Sequence, residues 1–367
     1  MEQIEPKITE AVNQELACRK CGATVNFAPG TSSLKCQYCG AENTIEKAGE
    51  TIEEIDLEKF ISQPVEKSEQ LIIRTVKCPG CGARTTLADK VTAAACPYCD
   101  TRLVVANGGA QSIIKPKSLI PFVIDKQKSS QFFQKWIKKF WFAPGDFMSR
   151  AACESMDGMY VPYWTYDART FNQYSGLQGT YHDVSENYTA RENGRTVSKT
   201  RQVRKVLWSP CAGNVEVLFD DVLVPATRSL PEKIIKRLNP WNLSQLTAYD
   251  DRYLSGFRCE AYGIDVKSGL DQAKVVMKRE IDNRVHRDIA GDEQRILSLN
   301  SRYQGVTFKH ILLPVWISSY RYNQKVYRFL VNGQTGEVQG ERPYSVFKII
   351  TAVLAALLAV AVLFFII

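Results

Sequence analysis

The chain has 367 residues, 45% apolar and 23% charged, with a net charge of +8 and eleven cysteines. That length gives room for two or three domains. Met1 to Ala11 carries Glu2, Glu5 and Glu10 and no apolar run, so no secretory signal is visible, and an odd number of cysteines points to a reducing compartment.

The net charge hides an uneven division. Residues 1–105 hold 12 basic and 15 acidic side chains, whereas residues 106–367 hold the other 35 basic and 24 acidic ones. An acidic N-terminal part suits a phosphate backbone poorly, because that affinity comes from Lys and Arg displacing counterions.

Eight cysteines form two copies of one pattern: Cys18-x2-Cys21 then Cys36-x2-Cys39, and Cys78-x2-Cys81 then Cys96-x2-Cys99, with fourteen residues between the pairs in each copy. Gly22-Ala23 matches Gly82-Ala83, and Gln37-Tyr38-Cys39 matches Pro97-Tyr98-Cys99. Two such pairs complete a tetrahedral sulfur cage, which predicts two zinc ribbons; disulfides or a redox CxxC pair are the competing readings. Gly22 and Gly82 let the turn after each first pair bend back and aim N–H groups at sulfur. Four thiolates leave zinc no open position, so both ions are expected to be structural and to replace a core that so short a segment cannot build. Cys153, Cys211 and Cys259 are scattered and read as buried free thiols.

Asn43 to Gln70 is an acidic linker, in which Ile52, Ile55, Leu57, Phe60 and Ile61 predict a short amphipathic helix. Asn107-Gly108-Gly109 reads as a hinge closing the second ribbon. Asp125 to Trp141 predicts a helix with Phe132, Phe133, Trp136, Ile137, Phe140 and Trp141 on one face and lysines largely on the other, read as packed into its own domain rather than lying in a membrane surface. Strands are expected at Met159–Tyr166, at Val197–Trp208 after the Asn193-Gly194 turn, and at Val215–Val224. A helical region with Ile234, Ile235 and Leu238 and a longer helix from Asp265 to about Asp288 come next. Strands return at Val306–Tyr322, Val326–Val331 and after Gly333-Gln334-Thr335-Gly336. Val161-Pro162-Tyr163-Trp164 recurs as Leu313-Pro314-Val315-Trp316, which reads either as two similar β-rich halves or as coincidence. A proline inside a strand implies an edge or a bulge.

Ile349 to Ile367 is apolar except for Thr351, and nineteen residues span about 28 Å, close to the hydrocarbon thickness of a bilayer. Arg342 and Lys348 precede the run, which places residues 1–345 in the cytoplasm. The run reaches the last residue, as in a tail anchor or a truncated sequence. The predicted fold class is α+β and multidomain: a first ribbon (1–47), an acidic, partly helical linker (48–72), a second ribbon (73–107), an α+β domain with aromatic strands (110–345) and a transmembrane helix (346–367).

No catalytic set emerges. His182, His286 and His310 lie in no recognisable motif, and His286 reads as solvated beside Arg284 and Arg287. No phosphate loop, Gly-x-Ser-x-Gly or His-Glu-x-x-His is present. Asp220-Asp221 offers a metal site or, more simply, a solvated turn.

The two four-cysteine ribbons, Tyr160-Val-Pro-Tyr-Trp164, Tyr253-Leu-Ser-Gly-Phe257, Leu313-Pro-Val-Trp316, Val331-Asn-Gly-Gln-Thr-Gly-Glu-Val338 and the terminal apolar run together resemble a family of bacterial membrane-anchored proteins labelled as TFIIB-type zinc-ribbon proteins, or by analogy with the zinc-binding part of the primosomal helicase. The resemblance covers the chain from about Cys18 to the anchor. Similar proteins are encoded beside SPFH-domain (flotillin-like) and PspA-like proteins in some bacteria. It therefore implies a membrane docking platform for a soluble partner of that kind. The helicase label finds no support without a phosphate loop. The expected function is a non-enzymatic, membrane-anchored adaptor holding two structural Zn2+. The alternative is nucleic-acid binding through Arg195, Lys199, Arg201, Arg204 and Lys205, with aromatic residues for stacking.

Overall fold

The computed structural model describes residues 17–46, 52–63, 70–86, 93–104, 108–142, 144, 156–192, 195–322, 325–341 and 343–366. Cys153, Arg342 and the Asn193-Gly194 turn lie outside the described residues. The fold is α+β with a β-rich core, two four-cysteine groups and a C-terminal apolar helix.

The first cysteine group sits on a three-stranded antiparallel meander, β1 (Val25–Phe27), β2 (Ser33–Cys36) and β3 (Glu42–Thr44). The predicted linker helix is shorter than its apolar residues imply. Strand β4 (Ile55–Asp56) takes the first part and pairs with a core strand, and Asp56 then caps α1 (Leu57–Ser62) by accepting from Lys59 N–H. Around the second group, β5 (Gln70–Lys77) pairs with β6 (Arg84–Thr85), and β7 (Ala93–Ala95) with β8 (Arg102–Val104). The expected glycine hinge is not one. Gly108 and Gly109 open β9 (Gly108–Ile114), held against Val76 and Thr75 of β5, where interstrand bonds outweigh glycine's freedom.

A nine-stranded sheet forms the core. It contains β10 (Ser118–Leu119), β11 (Asp157–Glu192), β12 (Arg195–Pro225), β13 (Thr247–Ala248), β14 (Arg258–Cys259), β15 (Glu293–Tyr322), β16 (Lys325–Asn332) and β17 (Val338–Gly340), with β4 on β15. The two strands expected at 197–208 and 215–224 are one. Ser209-Pro210-Cys211-Ala212-Gly213-Asn214 reads as punctuation, yet these residues stay in register with Gln178 to Gln173 of β11. Among the described residues β12 pairs only with β11, and a proline is tolerated on such an open side. β15 accompanies β11 only as far as Gly179, opposite Glu293. Beyond that, among the described residues, β11 and β12 continue alone as a two-stranded arm from Thr180 to Glu192 and back from Arg195 to Leu207.

Besides α1, whose Phe60 packs on Phe308 of β15, the described helices against the sheet are α2 (Lys126–Ile137), α3 (Glu232–Ile235) and α4 (Val266–Ile289). α4 buries Val266, Gly269, Ala273, Met277, Ile281, Val285 and Ile289, a stripe at steps of three or four that faces the sheet. Gly269 is required there, because a Cβ would lie 2.4 Å from the Tyr166 hydroxyl. α2 ends four residues before the aromatic pattern does. Phe133 and Ile137 are buried, but the helix stops there and Trp141 turns out to solvent. The last helix, α5 (Val346–Ile366), is apolar and exposed on all sides.

The Val-Pro-Tyr-Trp recurrence extends through the structure. β11 and β15 pair antiparallel with Val161 opposite Leu313, so a pseudo-twofold axis passes between these residues. On one side β14 runs parallel to β11 (Tyr160 opposite Cys259); on the other β10 runs parallel to β15 (Leu119 opposite Leu312). Pro162 O accepts from Ala226 N–H as Pro314 O does from Gly333 N–H. Ala226 O then accepts from Gly263 and Ile264, as Gly333 O does from Val123 and Ile124. Trp164 donates to Ile264 O and Trp316 to Ile124 O, both at 2.8 Å, and the following residues, Asp265 and Asp125, cap α4 and α2. The prolines mark neither edges nor bulges. Each sits where its strand exchanges one neighbour for the next, so its missing N–H leaves no ladder bond broken. The strand–helix module follows its partner strand in one half and precedes it in the other, a permuted repeat.

Candidate metal centres and the buried charges around them

In the first group Cys18 and Cys39 Sγ lie 3.6 Å apart, as do Cys21 and Cys36. In the second, Cys78–Cys99 and Cys81–Cys96 are 3.4 and 3.7 Å apart. A tetrahedral ion with metal–sulfur bonds of about 2.3 Å needs sulfurs about 3.8 Å apart, whereas a disulfide needs about 2.05 Å. The spacing fits an ion at each centre, and the described cysteines form no disulfide.

Four knuckle turns place the thiols. Cys18, Cys36, Cys78 and Cys96 each accept at the carbonyl from Gly22, Gly40, Gly82 and Asp100 N–H. All four donors have positive φ, between 59° and 78°, the region where glycine is free and Asp tolerated. The spacing pointed to Gly22 and Gly82; Gly40 and Asp100 do the same work behind the second pair of each set. Backbone N–H groups, first that of Cys39, pull the Cys36 thiol down to about 6, and bonding from Cys96 holds Cys81 down to about 5. Their bonded partners are held up: against the Ala23 N–H, bonding to Cys39 and Cys36 lifts the Cys21 thiol to about 12, and bonding to Cys81 together with burial lifts that of Cys96.

Neither ribbon hangs free. In the first, Phe27 packs on Tyr253 and Phe257, its N–H donates to Ser255 O, and Gly30 N–H reaches Phe122 O. The second is held by a buried polar clamp. Tyr98, 0% exposed, donates to Glu260 Oε2 at 2.5 Å, and its carbonyl accepts from Arg328 Nε at 2.6 Å. Thr227 and Ser229 hydroxyls bond the other Glu260 oxygen. Burial lifts the Glu260 carboxyl to about 7 against the pull of these donors. The repeat makes the comparison direct: Tyr38, the counterpart of Tyr98, is 84% exposed, with Cys39 and Cys21 also exposed beside it.

Asp220-Asp221 is not a solvated turn. Asp221 sits at φ 52° within a bulge of β12, its N–H donates to Asp167 Oδ1, and its carboxylate lies 2.8 Å from Lys309 Nζ. Lys309 also meets Glu54 at 2.9 Å, and Thr307 donates to Glu54. Asp167, Asp220 and Asp221 bring carboxylate oxygens within 4.8 Å of one another, a group that could hold a cation, and the Lys309 ammonium balances Asp221 and Glu54 beside it. Burial, then the adjacent Glu54, pushes Asp167 up to about 7. Glu54, opposed by burial but bonded by Asp167, Thr307 and Lys309, stays near 2.

His310 is buried, with Nδ1 2.7 Å from Ile114 O, and burial lowers it to about 4; His286 Nδ1 contacts Asp282 O along α4. His182 stands on the arm opposite Lys205. The three histidines share no site. Cys259 is buried and its thiol pushed up to about 12, and Cys211 is half-buried. The five hairpin basics all lie on β12 of the arm. Arg201 and Lys205 pair with Glu186 and Arg204 with Asp183, while Arg201 and Arg204 also cover Tyr188 and Tyr181.

No family model matches the chain, and no solved structure matches it. The chain is 28% identical over 333 residues to the uncharacterized protein YdjG of Bacillus subtilis (strain 168), an alignment covering 89% of each.

Proposed function

We propose that the chain is a non-enzymatic adaptor, anchored in the membrane by α5, whose two centres hold structural zinc and whose first ribbon docks a cytosolic protein. The observation that carries this reading is the contrast between equivalent tyrosines. The second ribbon spends Tyr98 on the body, whereas the first, also held against the body, presents Tyr38 outward beside its cage. Four-thiolate zinc offers no site for substrate, so such a ribbon serves as a rigid surface. α5 is long and apolar enough to cross a membrane, and Lys348 at its start favours a cytoplasmic body. An SPFH-type (flotillin-like) or PspA-like protein is the partner class that the family resemblance indicates.

Purified full-length protein is expected to carry two Zn2+ per chain by elemental analysis. It should retain an SPFH-domain or PspA-like protein encoded in the same genome, and Tyr38→Ala should reduce that recovery at least tenfold. Recovery unchanged by Tyr38→Ala would remove the first ribbon from the docking surface.

A further inference from the structure

The turn after α2 differs from the surface around it. The helix sends its aromatic stripe inward: Phe133 and Trp136 pack on Phe329, and Trp136 on Phe140. The next two residues face the other way. Trp141 is 76% exposed and Phe142 40%, and Trp141 is the one exposed residue among the chain's six tryptophans. An aromatic pair held out into water is unfavourable unless something covers it.

Two bonds fix this turn to the root of α5. Ser345 N–H donates to Phe142 O at 2.8 Å, and Lys348 Nζ donates to Trp141 O at 3.0 Å. Tyr344 and Phe347 are exposed at the same level. Lys135, Lys138 and Lys139 stand exposed at the end of α2, and residues 126–142 contain no Asp or Glu.

We propose that this turn is a seat on an anionic bilayer. Trp141 and Phe142 lie in the headgroup region, and Lys135, Lys138 and Lys139 meet lipid phosphates. Tryptophan favours the membrane–water boundary, and basic side chains are drawn to an anionic surface. Continuity with α5 selects the occupant, since whatever surrounds the start of that helix also surrounds the turn bonded to it. The proposal rests on α5 spanning the membrane. A single span leaves the body free to swivel and lean; the seat adds a second contact and fixes its tilt.

Full-length protein reconstituted into phosphatidylcholine–phosphatidylglycerol vesicles, with bromine on the acyl chains near the headgroups, tests this by tryptophan quenching. Trp141→Phe is expected to at least halve the quenching. The triple variant Lys135→Gln, Lys138→Gln, Lys139→Gln should weaken it, and phosphatidylcholine alone should weaken it in the parent protein. Failure to float with the vesicles overturns span and seat together. Flotation with quenching indifferent to Trp141→Phe overturns the seat and leaves the span standing, and equal quenching in both lipid mixtures overturns the role of the lysines.

Discussion

Tyr98 and Tyr38 occupy the same place in their ribbons, yet only one is committed. Tyr98→Phe removes a donor from a buried carboxylate that keeps two hydroxyl partners, a loss of about 1–3 kcal/mol. The second centre should then release metal to a chelator several-fold faster, with Tyr38→Phe, whose ring is exposed, leaving release unchanged. A colorimetric chelator assay on the two variants reads both. Asp167 gives a second single-residue test. Its folded value near 7 lies above the ordinary carboxylate range, so the fold favours its protonated form. That contribution is complete at pH below the ordinary range and fades as pH rises through about 7. Glu54 behaves oppositely: held near 2, its contribution is present above the ordinary range and is lost as pH falls towards 2. Thermal melting between pH 6 and 8 should therefore show a falling midpoint in the parent protein and a flatter one in Asp167→Asn.

At the level of elements, the permuted repeat means that α2 and α4 begin by the same device, an aspartate cap placed one residue after a carbonyl held by a tryptophan indole. Asp125→Ala and Asp265→Ala should each cost about 1 kcal/mol in urea unfolding followed by circular dichroism. Both caps accept from the N–H three residues on, and Asp265→Ala should cost the more, since Asp265 also accepts from the Ser268 hydroxyl at 2.8 Å. The elements also show what could be read in advance. The cysteine cages and the stripe of α4 were legible because each requirement is met by residues within a few positions of one another. The unbroken β12 was not, because Ser-Pro-Cys-Ala-Gly-Asn carries every local mark of a turn and is kept straight only by β11 beside it. The clamp was hidden for another reason: Tyr98 and Glu260 stand 162 positions apart, and nothing near Glu260 announces that a ribbon will cover it. The end of α2 was missed because aromatic spacing continues past the point where the helix stops, and Trp141 continues the pattern without continuing the fold.

For the whole molecule, the two centres are embedded to different depths. Cys21 and Cys39 are exposed, whereas Cys78, Cys96 and Cys99 are buried beneath the clamp. Competition with a chelator should remove the first ion well before the second, in two phases. Cys18 and Cys36 join the apolar cluster of Leu312 and Trp316 of β15, as Cys78 and Cys96 join that of Ile311, Leu313 and Val315, so Cys18→Ser and Cys78→Ser should both impair folding of the body. Circular dichroism and yield of the two variants would show the loss.

The arm beyond Gly179 carries a further consequence. Within the sheet, β11 is flanked on both sides; past Gly179 it keeps one neighbour, and thirteen more residues reach about 43 Å farther. A ribbon only two strands wide opens more readily than the sheet that roots it. Deuterium uptake should thus rise in a single step along one continuous strand, slow at Tyr163 to Gln178 and fast from Thr180 outward. One strand would behave as anchored masonry at its base and as a reed at its tip.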